Sequence, residues 1–286
     1  MNIRADLHCH TTASDGMLSP SDVVILAKKS GVTYLAITDH DTTEGIEEAY
    51  NKAKEINLNL IPGIELSCSY NNESIHVLGY FRDDNYKSPE ILSYLKKLKL
   101  SRQNRALEII KKLKVYYNIE ISEDQVKYLT NAKGIIARPH IAQAIINSGY
   151  NYDINYIFNN FIGNDCKAYV PNKIITIKEG IDLLHNHNCI ATLAHPKIIK
   201  KSSVEEIIKN HNFDGIEAIY FQNTKKETKF YRKLARDYNL IITSGSDFHG
   251  ISKSDKKHGA VGSMTIPQDD FKYFITSYKN TSNIKY

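Results

Sequence analysis

The sequence predicts an α/β fold in which parallel strands are backed by helices, with one helical insertion. Three observations carry this reading. Short apolar runs recur along the chain, helical patterns with recognisable ends lie between most of them, and the rhythm fails once, from about Ser88 to Tyr169. Strand–helix alternation puts helices on the outside of parallel strands, and it fits a closed barrel or an open sheet.

The strand candidates are Ile3–His8, Val32–Thr38, Leu58–Leu66, Ile75–Phe81, Cys189–Ala194, Asp214–Tyr220 and Leu240–Gly245. They are short, dominated by Ile, Leu, Val and Ala, and read as buried strands. The first helix runs from Ser21, with Pro20 near its start and Gly31 as the residue past its end. Asp41 and Glu44 have the spacing of a capping box for a helix reaching about Ile56. Similar helices are expected over 177–185, 203–211 and 228–238. Within 88–169 the pattern is helical to Lys114, continues after Ser122, and restarts near Ala137 with Pro139 in a first turn. The chain is therefore expected to form one barrel domain from 1–87 and 170–286, with 88–169 as an insertion covering its mouth.

At 286 residues and 42% hydrophobic content, the chain can build a sizeable core and is not a disordered protein. No run is long and apolar enough for a membrane span. The sequence enters functional-looking motifs at once, so a cytoplasmic enzyme with no obligate protein partner is expected. Cys9, Cys68, Cys166 and Cys189 are scattered without a C-x-x-C pair, which favours reduced thiols. Between Lys87 and Asn118 nine Lys or Arg face only Glu90 and Glu108. That excess fits attraction of an anionic substrate or, equally, solvated lysine faces.

The polar residues fall where the strands end. Asp6, His8 and His10 close the first run, and Asp39 and His40 the second. Glu65 ends the third, His76 lies in the fourth, and His195 follows the fifth. Asp247 and His249 follow the last. Coordinating groups at nearly every strand end point to one shared site at the carboxyl mouth of a barrel. In D-L-H-C-H (Asp6–His10) alternation sends His8 and His10 to one face and Cys9 to the other, as a small buried hydrophobe. Asp15, in the following turn, can swing back over the mouth. Imidazole with carboxylate suits borderline divalent ions such as Zn²⁺, Mn²⁺ or Fe²⁺. Asp6 and Asp39 either orient a neighbouring histidine or cap a strand end. His185, His187 and His211 are expected on the surface, and His258 could approach the mouth from the last loop.

These motifs, with T-D-H-D (Thr38–Asp41), G-I-E (Gly63–Glu65), A-H-P (Ala194–Pro196) and S-D-F-H (Ser246–His249), resemble the PHP (polymerase and histidinol phosphatase) metallophosphoesterases in order and over the whole chain. The resemblance implies a distorted seven-stranded, TIM-like (β/α) barrel with three divalent ions. One would take His8, His10, Glu65 and Asp247. A second would take Asp15, His40 and His249, and a third Glu65, His76 and His195, with Glu65 bridging. Metals about 3.5–4 Å apart can activate a bridging water and clamp a phosphoryl displacement.

Within the family, A-R-P-H (Ala137–His140) in the insertion resembles the branch acting on nucleotide 3′,5′-bisphosphates and short 5′-phosphorylated oligonucleotides. This makes Arg138 and His140 candidates for phosphate binding and catalysis, alongside Asp247, with His258 a further substrate-binding candidate. Arg suits the task because its planar fork donates two bonds to one phosphate. A cation at a helix start opposes the dipole, a conflict that a bound anion would relieve. The alternatives are a histidinol-phosphate or other small-molecule phosphatase, and an inactive metal- or nucleic-acid-binding module.

Overall fold

The computed structural model describes residues 3–129, 136, 138–171, 175–250 and 257–280. In chain order the elements are β1 (Ala5–Asp6), α1 (Pro20–Lys29), β2 (Tyr34–Ile37), α2 (Ile46–Glu55), β3 (Asn59–Tyr70) and β4 (Glu73–Phe81). Then come α3 (Pro89–Tyr117), α4 (Glu123–Tyr128), α5 (Arg138–Asn147), α6 (Ile154–Ile157), β5 (Ile175–Thr176), α7 (Ile177–Asn186) and β6 (Cys189–Leu193). The chain closes with α8 (Val204–Asn210), β7 (Gly215–Tyr220), α9 (Lys225–Asp237), β8 (Ile241–Gly245) and α10 (Gln268–Lys279).

Seven strands follow the path β1-β2-β3-β4-β6-β7-β8, and the two-residue β5 pairs only with the far end of β3. The ends of this path meet. The Leu7 N–H donates to the Ser244 carbonyl at 3.0 Å, the His10 N–H donates to the Phe248 carbonyl at 2.8 Å, and Cys9 bridges Phe248. The sheet is thus a nearly closed barrel, which removes the open-sheet alternative. Each expected strand is present.

The expectation of uniformly parallel strands fails at β4. β4 runs antiparallel to both β3 and β6. No helix separates β3 from β4. Tyr70 pairs with Glu73 across a two-residue turn in which Asn71 and Asn72 have φ of 49° and 59°. That is the left-handed pair a tight hairpin needs, and Asn tolerates it. The hairpin is what distorts the barrel away from uniform parallel pairing.

Helix ends follow local chemistry. Ser19 caps α1 by accepting from the Asp22 N–H, and Gly31 past its end takes φ of 75°. Thr176 with Glu179 and Thr224 with Glu227 form complete capping boxes on α7 and α9. The box expected at Asp41 and Glu44 does not form, because α2 starts at Ile46 behind Gly45. Asp41 instead turns left-handed and its carboxylate accepts from the Ser67 N–H on β3 at 2.8 Å.

The chain divides into two compact units, Met1–Leu92 with Ile174–Tyr286, and Ser93–Lys173. The first holds the barrel. One part of its core packs Cys9, Leu35, Ile37 and Phe248 against Val23, Val24, Ala27, Ala49 and Ala53 of α1 and α2. The second has its own core of Ile109, Leu113, Val126, Ile141, Ile145, Phe161 and other residues.

Asp6 fixes the seam of the barrel. One carboxylate oxygen accepts from the Ser246 N–H at 3.0 Å and the other from the Gly262 N–H at 2.7 Å, with Asp6 itself fully buried. Asp6 therefore anchors backbone rather than orienting an imidazole. Asp6→Ala would orphan both buried donors at about 1–3 kcal/mol each. Equilibrium unfolding in denaturant is expected to show a loss of that order for Asp6→Ala and a smaller one for Asp6→Asn, which keeps one acceptor.

Candidate metal centre

The segment after β1 stays extended, so its side chains alternate. His8 and His10 point to the barrel interior with their Nε2 atoms 3.1 Å apart. Cys9 faces the other way, fully buried in the layer between sheet and helices, its N–H donating to Thr38 Oγ1 at 3.1 Å. Asp39 holds the next loop. It accepts from the Thr11 N–H at 2.7 Å, the Thr11 hydroxyl at 2.8 Å and the Ser14 hydroxyl at 2.6 Å. Like Asp6, it anchors a loop rather than a histidine ring.

Glu65 and Asp247 complete the innermost group. Glu65 Oε2 lies 3.3 Å from His8 Nε2 and 3.1 Å from His10 Nε2. Asp247 Oδ1 lies 3.4 Å and 3.3 Å from the same two atoms. In a tetrahedral shell with bonds of about 2.0–2.1 Å, ligand atoms stand about 3.3–3.4 Å apart. The four donors thus have the spacing of one metal shell. Glu65 Oε2 is buried and makes no hydrogen bond, although His40 Nδ1 stands only 2.9 Å away, as expected of an oxygen left for a cation.

The other Glu65 oxygen serves a second group. Oε1 lies 2.8 Å from both His76 Nδ1 and His195 Nε2, which are 3.3 Å apart. A third group gathers His10, Asp15, His40 and His249, with Asp15 Oδ1 at 3.3 Å from His249 Nε2 and Oδ2 at 3.9 Å from His40 Nε2. His258 stacks on His249 with ring centroids 4.0 Å apart and joins Asp247 and His249 in a further potential ligand set. The structure therefore brings all nine sequence-selected ligand candidates, and His258, into one continuous cluster.

Charge compensates charge inside it. Burial alone would depress the His40 imidazole, but the Glu65 and Asp15 carboxylates outweigh it and push it up to about 10. His249 is likewise pushed up to about 9 by Asp15 and Asp247 against the effect of burial. Burial would raise Glu65 and Asp247, yet the surrounding imidazoles hold both carboxyls well below their usual range. Backbone conformation is also unusual here. Nine non-glycine residues among those described have positive φ, and six are Asn, which tolerates it. The other three, Asp41, His195 and Asp247, all flank this cluster.

Two contributors escape sequence reading. Glu217, fully buried in β7, lies 3.1 Å from His8 Nδ1 and accepts from the His195 N–H at 2.7 Å. Tyr220 donates its hydroxyl to Asp247 Oδ2 at 3.0 Å. A carboxylate inside an otherwise apolar strand run was the available signal for Glu217. The expectation of surface histidines also needs correcting. His187 is buried, and His187 and His211 direct Nδ1 at the Leu183 and Ile207 carbonyls, each 2.8 Å away, at the ends of α7 and α8. His185 pairs with Asp214 at 2.8 Å. Helix-terminal carbonyls and a carboxylate claim these rings.

Arg138 and His140 belong to the second unit, in the first turn of α5, and His140 is partly buried. The Arg138 guanidinium donates to the Ile162 carbonyl at 3.3 Å and to Asn164 Oδ1 at 3.0 Å, and lies 5.6 Å from the Phe158 and Tyr169 ring centroids. Arg105 shares the Tyr169 ring at 5.9 Å and donates to the Val170 carbonyl at 2.7 Å. Burial and the neighbouring Arg138 charge push Arg105 down to about 10. Among the described residues no carboxylate pairs with either guanidinium.

The chain is similar to known proteins in sequence and fold. The PHP domain profile matches residues 6–246. A 5′-3′ exoribonuclease of Haemophilus influenzae is 34% identical over 256 residues, covering 87% of this chain and 91% of that protein. A 3′,5′-nucleoside bisphosphate phosphatase of Chromobacterium violaceum is 25% identical over 259 residues, covering 89% and 90%. A solved structure from Bifidobacterium adolescentis, described as a metal-dependent phosphoesterase, superposes with a TM-score of 0.80 at 27% identity over 95% of each chain. With the profile spanning most of the chain, from the first histidine motif to the last strand end, the protein belongs to the PHP domain family.

Proposed function

We propose that this chain is a metal-dependent phosphoesterase acting on phosphorylated nucleotides, chiefly 3′,5′-bisphosphonucleotides and short 5′-phosphorylated oligonucleotides. The observation that carries the reading is the convergence of His8, His10, Glu65 and Asp247 at donor spacings of 3.1–3.4 Å. His76 and His195 with the second Glu65 oxygen, and Asp15, His40 and His249, would hold two further ions. Bound divalent ions would supply Lewis acidity at the phosphoryl group and an acidified water. The chain's own residues set the rest. Glu65 faces two groups at once, Tyr220 donates to Asp247 Oδ2, and His258 stacks on His249 beside them.

Substrate class rests on the insertion and the relatives. The names of the two curated relatives specify nucleotide or RNA substrates. Arg138 and Arg105 offer N–H donors with no carboxylate among the described residues to neutralise them, as a phosphate-binding surface requires. Release of inorganic phosphate and of mononucleotides from a panel of bisphosphonucleotides and short oligonucleotides, by protein refilled with Mn²⁺, tests this reading. Preferential turnover of histidinol phosphate would refute the substrate class.

Asp247→Ala and His10→Ala are expected to abolish nearly all turnover and lower bound metal by elemental analysis, with circular dichroism unchanged. Arg138→Ala is expected to lower kcat/KM about a hundredfold, the scale of one preorganised donor. Arg138→Lys should stay clearly impaired, because charge remains while the fork is lost. Metal content should be unaffected in both.

Metal loading should also release protons. His40 and His249, raised to about 10 and about 9, are protonated at neutral pH in the metal-free chain, and a ligating ring must lose that proton. Apparent affinity is therefore expected to fall as pH falls, with net proton release at pH 7 that shrinks as pH rises past 9. Calorimetric titration of Zn²⁺ in buffers of different ionisation enthalpy reads this directly, and loading without proton release at pH 7 would contradict it.

A further inference from the structure

We infer that Glu217 is a positioning residue that ties two of the ligand groups together and fixes which nitrogen of His8 is available to a metal. The inference rests on the metal-binding reading above for its consequence, but its geometry stands alone. Glu217 has no solvent exposure and sits in the middle of β7, where a carboxylate costs heavily unless it is paired. Two groups meet it. His8 Nδ1 lies 3.1 Å from Oε1 and 3.3 Å from Oε2, while the His195 backbone N–H donates to Oε2 at 2.7 Å. His8 belongs to the innermost donor group and His195 to the group on the other Glu65 oxygen, so one side chain reaches both.

The surroundings are shaped around this carboxylate. A Cβ at Gly245 would stand 2.4 Å from Glu217 Oε1 and 2.2 Å from the His8 Cβ, so only glycine leaves room for the pair. His195 holds φ of 24°, a strained backbone for a residue with a side chain, and its N–H is the atom Glu217 grips. In the neutral imidazole, a carboxylate at Nδ1 accepts a hydrogen bond from the N–H there and holds the proton on that nitrogen. This leaves the Nε2 lone pair facing His10, Glu65 and Asp247.

Both partners of Glu217 are donors, and this makes glutamine an informative replacement. An amide keeps one acceptor oxygen and replaces the other with an N–H₂ group, so the oxygen nearer His8 Nδ1 and the oxygen that holds the His195 N–H cannot both remain acceptors. The His195 backbone N–H cannot change its protonation, whereas His8 can exchange tautomers. The amide oxygen in Glu217→Gln therefore settles on His195, and the amide N–H₂ faces His8 Nδ1. The His8 proton moves to Nε2, the atom aimed at the innermost donor group, and that nitrogen ceases to be a ligand. Both partners of the side chain remain hydrogen-bonded, so the fold should survive.

The test uses the full chain, with histidine tautomers read by long-range ¹H–¹⁵N correlation at a pH where His8 is neutral, and bound Zn²⁺ counted by elemental analysis. Wild type is expected to carry the His8 proton on Nδ1, and Glu217→Gln on Nε2. Glu217→Gln should also retain fewer Zn²⁺ ions than wild type, or bind one of them about 10–100-fold more weakly, while unfolding near the wild-type temperature when metal-free. An unchanged tautomer in Glu217→Gln, or wild-type zinc content and affinity, overturns the proposal. If Glu217→Gln does not fold, the wild-type spectrum decides, because an Nε2 proton on His8 there is incompatible with it. Failure of wild type to bind any of Zn²⁺, Mn²⁺ and Fe²⁺ would refute the metal-binding reading instead, and the tautomer comparison on metal-free protein would still decide the role of Glu217.

Discussion

Glu65 is a carboxylate with no access to water, surrounded by five imidazoles. An isolated charge at that depth would be prohibitive, so the barrel mouth has to supply compensation around it. Three of those rings, His8, His10 and His40, come close to one oxygen, and His76 and His195 approach the other. The remaining carboxylates, Asp15, Asp247 and Glu217, then balance the rings. Strand ends, left-handed corners and the glycine at 245 are what it takes to bring these groups together in one buried place.

Much of this could be read from the chain. Side-chain alternation alone separates His8 and His10 from Cys9, because the geometry of extended backbone is independent of what lies elsewhere. Ligand candidates were legible for a similar reason. An apolar run that ends repeatedly in His, Asp or Glu places each of those groups at the carboxyl mouth, whatever the loops between them do. The antiparallel β4 was harder to see. Its mark is the Asn71–Asn72 pair, a two-residue hairpin signature joining two strand runs with no helix between them.

Other features were not local enough to read. Asp41 and Glu44 have capping-box spacing, yet the Ser67 N–H, brought alongside only by β3, claims the Asp41 carboxylate. Tertiary contacts override the local pattern there. His187 and His211 show the converse, with helix-end carbonyls four residues back holding rings that their place on helices assigned to the surface. Glu217 and Tyr220 act on groups far away in sequence, and no spacing rule predicts such partners.

The seam joins Leu7 to Ser244, nearly the two extremes of the chain, while Ser93–Lys173 carries a core of its own between them. A ribosome making about 5–20 residues per second needs roughly 10–50 s to pass from one side of that seam to the other. During that interval β1 has an unpaired edge, a surface that invites pairing with other nascent chains. Contacts this distant in sequence also close slowly. The histidines delivered first, His8 and His10, must wait for Asp247 and His249, so the innermost group of four donors is complete only with the last part of the barrel to be synthesised.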